Sequence, residues 1–280
     1  MRLLRFGEAG HEHPGLLDSG NRIRDLSKHL DDFDRTAFVP EVLDRLATLD
    51  PTSLPLVEEP VRLGPPISAP GHFIGIGLNY SDHALEAGLD IPGEPIVFSK
   101  APSCICGPND HVLIPEGSTT LDWEIELAVV MSRPAFRVSE EEALAHVAGY
   151  TICNDVSERT WQLRGTGQWG KGKSAPTFGP LGPAIVTCDE VPDPQDLSME
   201  LLLNGRPQQT GHSGKMIFTV GKIISYLSHL MLLEPGDVIT TGTPPGVGMG
   251  AKPPVYLKDG DEMVLRIEGL GAQCQKAVAA

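Results

Sequence analysis

The stretch DWEIELAVV, residues Asp122–Val130, sets acidic residues at alternate positions and then continues as an apolar run. Side chains along a β-strand alternate between its two faces, so Asp122, Glu124 and Glu126 are predicted to share one face. Neighbouring carboxylates repel one another, and burying them is costly unless a cation lies among them. Oxygen ligands favour Mg²⁺, Mn²⁺ or Ca²⁺ over Zn²⁺. The stretch therefore predicts a strand with either a divalent-metal site or an ordinary acidic face turned to solvent.

A further acidic residue, Asp155, follows the apolar run Gly149–Cys153. An inner strand in this position would deliver the Asp155 side chain to the mouth of a pocket, so Asp155 is the third candidate metal ligand. Arg159, Gln162 and Lys173 come after it, and such side chains can bind an anionic ligand. The alternative for this segment is an ordinary polar loop with a solvated arginine.

The first 50 residues are predicted to form a small α/β module. Arg2–Phe6 and Arg22–Leu26 have the composition of short strands, and Asp32–Leu49 repeats apolar residues at helical spacing. Pro40 interrupts that repeat, so the helix is expected to begin near it.

A proline-rich connector, Pro51–Pro70, follows the module. It contains six prolines and is predicted to be extended and free of helix. The domain boundary is placed within it. Residues 1–68 are then the N-terminal module with its connector, and residues 69–280 are the catalytic domain.

The rest of the chain is rich in predicted strands and poor in helices. The predicted helices are Ser81–Ala87 and Ser139–His146, each begun by a serine suited to capping a helix, and Thr219–Leu233, whose apolar residues recur at helical spacing. This is not the alternating strand–helix pattern of a nucleotide-binding fold, so an all-β or α+β roll is predicted. The predicted strands are Phe73–Gly77, Ile96–Ser99, Ile125–Met131, Gly149–Asn154, Ala184–Thr187, Met199–Leu203, Val238–Thr241 and Met263–Ile267.

The composition excludes some classes of partner. The 280 residues include 22 Lys and Arg against 37 Asp and Glu, a formal charge of −15, which argues against nucleic acid. No run of about 18 apolar residues or signal-peptide pattern is seen, so no membrane association is expected. The five cysteines show no disulfide or metal spacing, and free thiols fit a reducing compartment. A cytoplasmic protein is therefore expected.

Four sequence motifs, and their order along roughly residues 70–270, resemble those of the fumarylacetoacetate hydrolase superfamily. The resemblance implies a mixed β-sandwich roll of the α+β class, preceded by a small variable N-terminal module and usually assembled as a homodimer. The motifs are Asp122–Val130, Asn154–Arg159, Lys171–Ser174 with its Gly179-Pro180 tail, and Glu234–Asp237 leading into Thr241–Gly248.

The resemblance implies a role for individual residues of this chain. The metal ligands are Glu124, Glu126 and Asp155, with Mg²⁺ as the expected ion and Mn²⁺ as an alternative. The catalytic residues are His83, Glu86 and Lys173, and the substrate-binding residues are Tyr80, Arg159, Gln162 and Thr243.

His83 and Glu86 are the pair that the resemblance places on a mobile lid helix. They are three residues apart, so they would share a helix face, and a carboxylate beside an imidazole raises its basicity. His83 would then be a general base for water. From spacing alone, an exposed His–Glu pair with little energetic effect is the competing interpretation.

The implied reaction is hydrolysis of a C–C bond in a 2,4-diketo acid, which releases pyruvate and a carboxylic acid. The closest resemblance is to hydrolases of sugar-acid degradation, whose substrates include 2,4-diketo-3-deoxy-L-rhamnonate. The alternatives are a decarboxylase or isomerase of an oxaloacetate-like or hydroxy-dienoate acid, and a ureidoglycolate lyase, for which no residue argues. A non-catalytic metal- or anion-binding protein would lack a ligand or the lid pair, and this chain has both.

Two positions depart from the pattern of many relatives. Pro176 stands where an aspartate is common, and Gly182-Pro183-Ala184 replaces a common Gly-Pro-Trp. Neither change removes a candidate metal ligand, so the departures bear on the subfamily and its substrate.

Overall fold

The computed structural model describes residues 1–58, 60–82 and 90–280, which form three β-sheets and a few short helices. The helices are α1 (Pro40–Ala47), α2 (Glu140–Ala143), α3 (Arg159–Leu163) and α4 (Val220–Leu230). The strands are β1 (Arg2–Phe6), β2 (His13–Leu17), β3 (Ile23–Asp25), β4 (Leu63–Gly64), β5 (Phe73–Gly77), β6 (Ile96–Lys100), β7 (Ile105–Cys106), β8 (Val112–Ile114), β9 (Leu121–Asp122), β10 (Ile125–Met131), β11 (Val147–Asn154), β12 (Ser157–Glu158), β13 (Gly179–Thr187), β14 (Ser198–Leu203), β15 (Arg206–His212), β16 (Val238–Thr240), β17 (Glu262–Ile267) and β18 (Gly271–Ala279).

The largest sheet has β10 near its middle. Its main order is β3-β2-β1-β13-β11-β10-β16-β5-β6, with β4 paired to β1 and β7 paired to β13. β10 runs antiparallel to β11 and β16, whereas β16 and β5 are parallel. Every residue of β10 is buried, including Glu126. The acidic face of this strand is therefore not turned to solvent, and that interpretation of the sequence is wrong.

A second sheet, in the order β15-β14-β17-β18-β8, packs on the first. Its strand β18 contacts β11 and β13, and β14 contacts β10. A two-stranded sheet of β9 and β12 lies at the start of β10. These strand-rich mixed sheets with few helices confirm the predicted α+β sandwich roll. No described helix is both long enough and apolar enough to cross a membrane.

The N-terminal module is joined to the main sheet. β1 pairs antiparallel with β13, with Leu3 opposite Ile185, so the module extends the sheet of the catalytic domain. Arg62 in the connector adds ion pairs of 2.9 Å to Glu12 and 2.6 Å to Asp110. The predicted boundary within the connector therefore does not coincide with a break in the sheet.

The predicted elements agree with the observed ones where the apolar periodicity is strong. Arg2–Phe6, Phe73–Gly77 and Ile125–Met131 are strands with the predicted bounds. The helix predicted within Asp32–Leu49 begins at Pro40, where the fixed backbone angle of proline suits a first helical turn. The predicted helix Ser81–Ala87 falls mostly on residues 83–89, outside the described residues.

Candidate active site

The three predicted metal ligands meet where β10 begins and β11 ends. Ile125 pairs with Asn154 across these antiparallel strands, and the Asp155 N–H donates to the Glu124 carbonyl at 2.9 Å. Carboxylate oxygens of Glu124, Glu126 and Asp155 lie within 4.8 Å of one another. All three residues are buried, with 7%, 1% and 0% of their surface exposed. Two segments far apart in sequence thus form one oxygen-lined cluster.

Two lysines neutralise part of this cluster. The Lys173 Nζ lies 2.7 Å from a Glu124 oxygen and 2.6 Å from an Asp155 oxygen. The Lys100 Nζ lies 2.5 Å from the other Asp155 oxygen, and it also donates to the carbonyls of Lys173 and Phe178 at 2.6 and 3.0 Å. Lys100 therefore fixes both the Asp155 carboxylate and the backbone that carries Lys173.

Asp122 binds Arg159 and does not join the carboxylate cluster. The Asp122 carboxylate accepts the N–H groups of Gly248 and Met249 at 2.7 and 3.0 Å and the Arg159 Nε at 2.8 Å. β9 ends at Asp122 and β10 begins only at Ile125, so the strand is interrupted between the first two acidic positions. Asp122 is therefore linked to Glu124 only through Arg159, which lies 2.8 Å from Asp122 and 2.7 Å from Glu124.

The charges around the cluster do not balance among the described residues. The carboxyl groups of the cluster and its ion pairs are Asp122, Glu124, Glu126 and Asp155, and the cations that pair with them are Lys100, Arg159 and Lys173, which are four against three. Glu126 accepts the Gly242 N–H at 2.9 Å but forms no ion pair with a described residue. With all of these groups ionised, this set of residues lacks one positive charge, which a bound divalent cation would more than offset.

The pKa values of the two glutamates move in opposite directions. Burial raises the pKa of Glu126 well above its ordinary value, and the carboxylates of Asp155 and Glu124 raise it further. Burial also acts to raise the pKa of Glu124, but Lys173 and Arg159 outweigh it and hold that pKa at about 2. An all-oxygen donor set with one uncompensated buried carboxyl fits a hard divalent ion such as Mg²⁺ or Mn²⁺.

A cavity of about 110 Å³ adjoins the cluster. Its described lining includes two of the proposed ligands, Glu124 and Glu126, but not Asp155. Four of the predicted catalytic and substrate-binding residues also line it, namely Arg159, Gln162, Lys173 and Thr243. The structure thus brings these six residues to one small space.

Hydrogen bonds fix the polar end of the cavity. Arg159 approaches Glu124 at 2.7 Å through Nη2 and donates to the Gln162 Oε1 at 2.9 Å through Nη1. The Thr243 hydroxyl donates to the Ile125 carbonyl at 2.8 Å and accepts from Gln209 at 2.7 Å. These side chains are held in place before any ligand enters.

Tyr80 is not among the described residues that line the cavity, so its contact with substrate stays a prediction. A β-bridge to Met216 directs this residue into the core, where it is fully buried. Its hydroxyl donates to the Met199 sulfur at 3.2 Å. Tyr80 therefore belongs to the packing beside the site.

His83 and Glu86 lie outside the described residues. Their role as a general base and its carboxylate partner stays a prediction from sequence.

Lys100 was not predicted from sequence, although it contacts a proposed ligand. One signal was available, since Lys100 ends the apolar strand Ile96–Lys100 and lysine is almost never fully buried unless it is paired. The carboxylate that pairs with it is 55 residues away in sequence, so the pairing itself required the fold.

The chain matches the family model described as fumarylacetoacetate hydrolase C-terminal over residues 72–278. A relative from Burkholderia multivorans, described only in general terms as a hydrolase, is 56% identical over 281 residues and both chains are covered completely.

Solved structures of similar proteins include both hydrolases and an isomerase. Fumarylacetoacetate hydrolase from Exiguobacterium antarcticum is 37% identical, with a TM-score of 0.88 and full coverage of both chains. Maleylpyruvate hydrolase from Sphingobium sp. SYK-6, in complex with manganese(II) and pyruvate, is 27% identical, with a TM-score of 0.83 and full coverage of both chains. A 2-hydroxyhepta-2,4-diene-1,7-dioate isomerase from Mycobacterium marinum is 30% identical, with a TM-score of 0.76, covering 100% of this chain and 98% of that one. On the family match and these likenesses, the chain belongs to the fumarylacetoacetate hydrolase family.

Proposed function

We propose that the chain is a divalent-metal-dependent hydrolase that cleaves a C–C bond of a 2,4-diketo acid and releases pyruvate and a carboxylic acid. The observation that carries the proposal is the buried cluster of Glu124, Glu126 and Asp155, short of one positive charge and next to a cavity. The structure of the similar maleylpyruvate hydrolase in complex with manganese(II) and pyruvate supports a divalent ion and pyruvate as the product. Mg²⁺ is the proposed ion, with Mn²⁺ as the alternative.

Glu124, Glu126 and Asp155 would hold the ion. A divalent ion supplies Lewis-acid chemistry, which polarises an oxo group and stabilises negative charge that develops on the pyruvyl part of the substrate.

Lys173 and Gln162 are the proposed donors to the distal carbonyl of the substrate. A lysine ammonium has three N–H groups, and Lys173 directs two at Glu124 and Asp155, which leaves one for the cavity. Gln162 uses its oxygen to accept from Arg159, which leaves its amide N–H groups to donate. Such donors are worth roughly 3 kcal/mol each when they face a developing oxyanion.

Arg159 and Thr243 are the proposed partners of the substrate carboxylate. The Arg159 Nε donates to Asp122 and Nη1 donates to Gln162, while Nη2 lies 2.8 Å from Asp122 and 2.7 Å from Glu124 in ion pairs. One Nη1 hydrogen remains for a ligand. The Thr243 hydroxyl proton is donated to a carbonyl, so Thr243 would have to change partner to donate to an anion.

Water activation is assigned to His83, with Glu86 as its partner. In the proposed reaction, water adds to the C4 carbonyl and its proton passes to His83. The C3–C4 bond then breaks, the C4 fragment leaves as a carboxylic acid, and C3 recovers a proton to give pyruvate.

Decarboxylation or isomerisation is the second candidate function. It would use the same carboxylate cluster but needs no activated water, and one similar structure is an isomerase of a hydroxy-dienoate acid. His83 separates the two candidates, because only the hydrolase requires a base for water.

Three further properties belong to the proposal. A homodimer is expected from the family resemblance. A cytoplasmic location is supported by five free cysteines. The sugar acid 2,4-diketo-3-deoxy-L-rhamnonate is one candidate substrate, from the resemblance to sugar-acid hydrolases.

The experiment is a turnover screen of 2,4-diketo acids with Mg²⁺ or Mn²⁺ supplied, in which pyruvate and CO₂ are both measured. The expected result is pyruvate without CO₂, lost on chelation and in the Glu124→Gln variant. Full activity in chelated buffer would exclude the metal-dependent scheme, and CO₂ release or simple isomerisation would favour the second candidate.

A further inference from the structure

The cavity is polar at one end and apolar elsewhere. The polar and charged residues of its described lining are those already assigned to the ion, the catalytic groups and the substrate carboxylate. The rest of the lining consists of Gly77 and of six apolar side chains, Ile76, Leu78, Phe98, Leu163, Trp169 and Met249. We call these six side chains the apolar wall.

Two glycines in β5 make room for the aromatic part of the apolar wall. A Cβ added at Gly77 would lie 2.2 Å from Trp169 Cζ3, and one added at Gly75 would lie 2.2 Å from Phe98 Cζ. The two rings therefore rest on the strand backbone, with their centroids 5.7 Å apart. The Phe98 ring also lies 5.2 Å from the Lys173 Nζ, so the apolar wall begins next to the catalytic lysine.

The buried Ile76, together with Leu78 and two partly exposed residues, completes the apolar wall. Leu78 has a φ of 51°, a left-handed conformation that favours glycine or asparagine, yet an apolar side chain is placed there. Leu163 and Met249 are 49% and 36% exposed. An apolar group bound in the cavity would cover part of this surface.

The apolar wall offers no partner for a second charge among the described residues. Arg159 and Lys173, the cationic residues of the described lining, are both paired with buried carboxylates. A terminal carboxylate placed against the apolar wall would lose water without gaining a counter-charge, and hydroxyl groups would lose hydrogen bonds.

We propose that the group attached to the distal carbonyl of the substrate is an uncharged apolar chain, either alkyl or aryl. This inference rests on the proposed function, because that function places the pyruvyl end at the carboxylate cluster. It disfavours both dicarboxylic substrates and the polyhydroxylated sugar acid.

The direct test compares two 2-oxo acids that cannot be cleaved. These are 6-methyl-2-oxoheptanoate and 2-oxoadipate, which share the oxo-acid head and differ in an isopropyl or carboxylate end of similar shape. Calorimetry with the full-length, Mn²⁺-loaded protein should give a Kd at least roughly tenfold lower for the isopropyl compound. Equal affinity, or tighter binding of 2-oxoadipate, would overturn the inference.

A variant ties the preference to the apolar wall. Leu163→Lys places a cation at a half-exposed position of the cavity. It should therefore lower the ratio of the Kd for 2-oxoadipate to the Kd for 6-methyl-2-oxoheptanoate at least several-fold. The control is Leu230→Lys, which changes a leucine that is 60% exposed and outside the cavity lining, and should leave the ratio unchanged. With folding checked by thermal unfolding, an unchanged ratio for Leu163→Lys would contradict the placement of the distal chain.

A turnover series separates failure of this inference from failure of the proposed function. It contains 2,4-diketo acids with alkyl, aryl, terminal carboxylate and polyhydroxylated ends, and kcat/KM should be highest for the alkyl or aryl compounds. Preference for a carboxylate or hydroxylated end would refute the apolar distal chain and leave the hydrolase intact. If no diketo acid is cleaved, the proposed function fails, and the two Kd values still decide the inference.

Discussion

At the scale of single residues, Glu126 differs from Asp122, Glu124 and Asp155 because no described cation pairs with it. The ordinary pKa of a glutamate is 4.5, and that of Glu126 is raised well above it. At a pH above 4.5, Glu126 in the native metal-free protein therefore keeps a proton that the unfolded chain has released. The free energy of unfolding should then fall as pH rises through this window. Bound Mn²⁺ should remove the effect, because the ion replaces the proton.

The first prediction compares the wild type with Glu126→Gln as metal-free proteins. The wild-type Tm should fall relative to that of the variant as the pH rises above 4.5, because the amide cannot ionise. Thermal unfolding in chelated buffer measures the difference, and titration of other groups cancels in the comparison. Parallel curves for the two proteins would mean that Glu126 is not the uncompensated charge.

The second prediction concerns Lys100, which is 1% exposed and holds Asp155. Lys100→Met leaves one Asp155 oxygen buried without its cation, and should lower the free energy of unfolding by about 3–5 kcal/mol. It should also lower kcat, because the carbonyl of Lys173 loses its donor. Chemical denaturation and steady-state kinetics test both effects, with Lys171→Met, at an exposed position, as the control. Matching values for the two variants would refute the role.

The sequence pointed to the strand of the carboxylate cluster because acidic residues at alternate positions precede an apolar run, whereas the roles of Arg159, Gln162 and Lys173 came from the family resemblance. It could not show that Asp122 binds Arg159, since that depends on an interruption of two residues between β9 and β10. Nor could it show that the Tyr80 hydroxyl faces Met199, which is 119 residues away. Both outcomes depend on tertiary packing.

At the scale of elements, β5 supports the cavity because its glycines let aromatic rings lie on the backbone. The third prediction is that Gly77→Ala displaces Trp169 and costs about 1–3 kcal/mol of unfolding free energy. It should also lower kcat/KM, since Trp169 lines the cavity. Gly93→Ala is the matched control, because an added Cβ there meets nothing within 4 Å. Stability and activity equal to the control would show that the ring has space to move.

Strand prediction succeeded or failed according to what fills the inner positions. Ile125–Met131 was found because its side chains, apart from Glu126, are apolar on both faces of the strand. β18 was missed because two of its inward residues are glutamines, Gln273 and Gln275, which are buried and donate to backbone carbonyls. Apolar periodicity cannot identify a strand whose buried side chains are polar and satisfied by distant backbone groups.

At the scale of the whole molecule, the N-terminal module and the catalytic domain share one sheet. The fourth prediction is that residues 69–280 alone do not unfold cooperatively, because removing β1 leaves β13 as a bare sheet edge. The loss of the Arg62–Asp110 ion pair adds to this. Thermal unfolding of the truncated chain, with and without co-expressed residues 1–68, measures the effect. A cooperative and fully active truncated chain would establish the two regions as independent.

The central claim is that Glu124, Glu126 and Asp155 together hold the divalent ion that the reaction needs. The most direct measurement is the anomalous diffraction of crystals of the full-length protein grown with Mn²⁺. The account predicts one strong peak with an oxygen of each of these three residues about 2.1 Å away, and its loss in Glu126→Gln crystals. The claim would be contradicted if the protein is active but its crystals show the Mn²⁺ peak elsewhere, or show no peak among the three carboxylates.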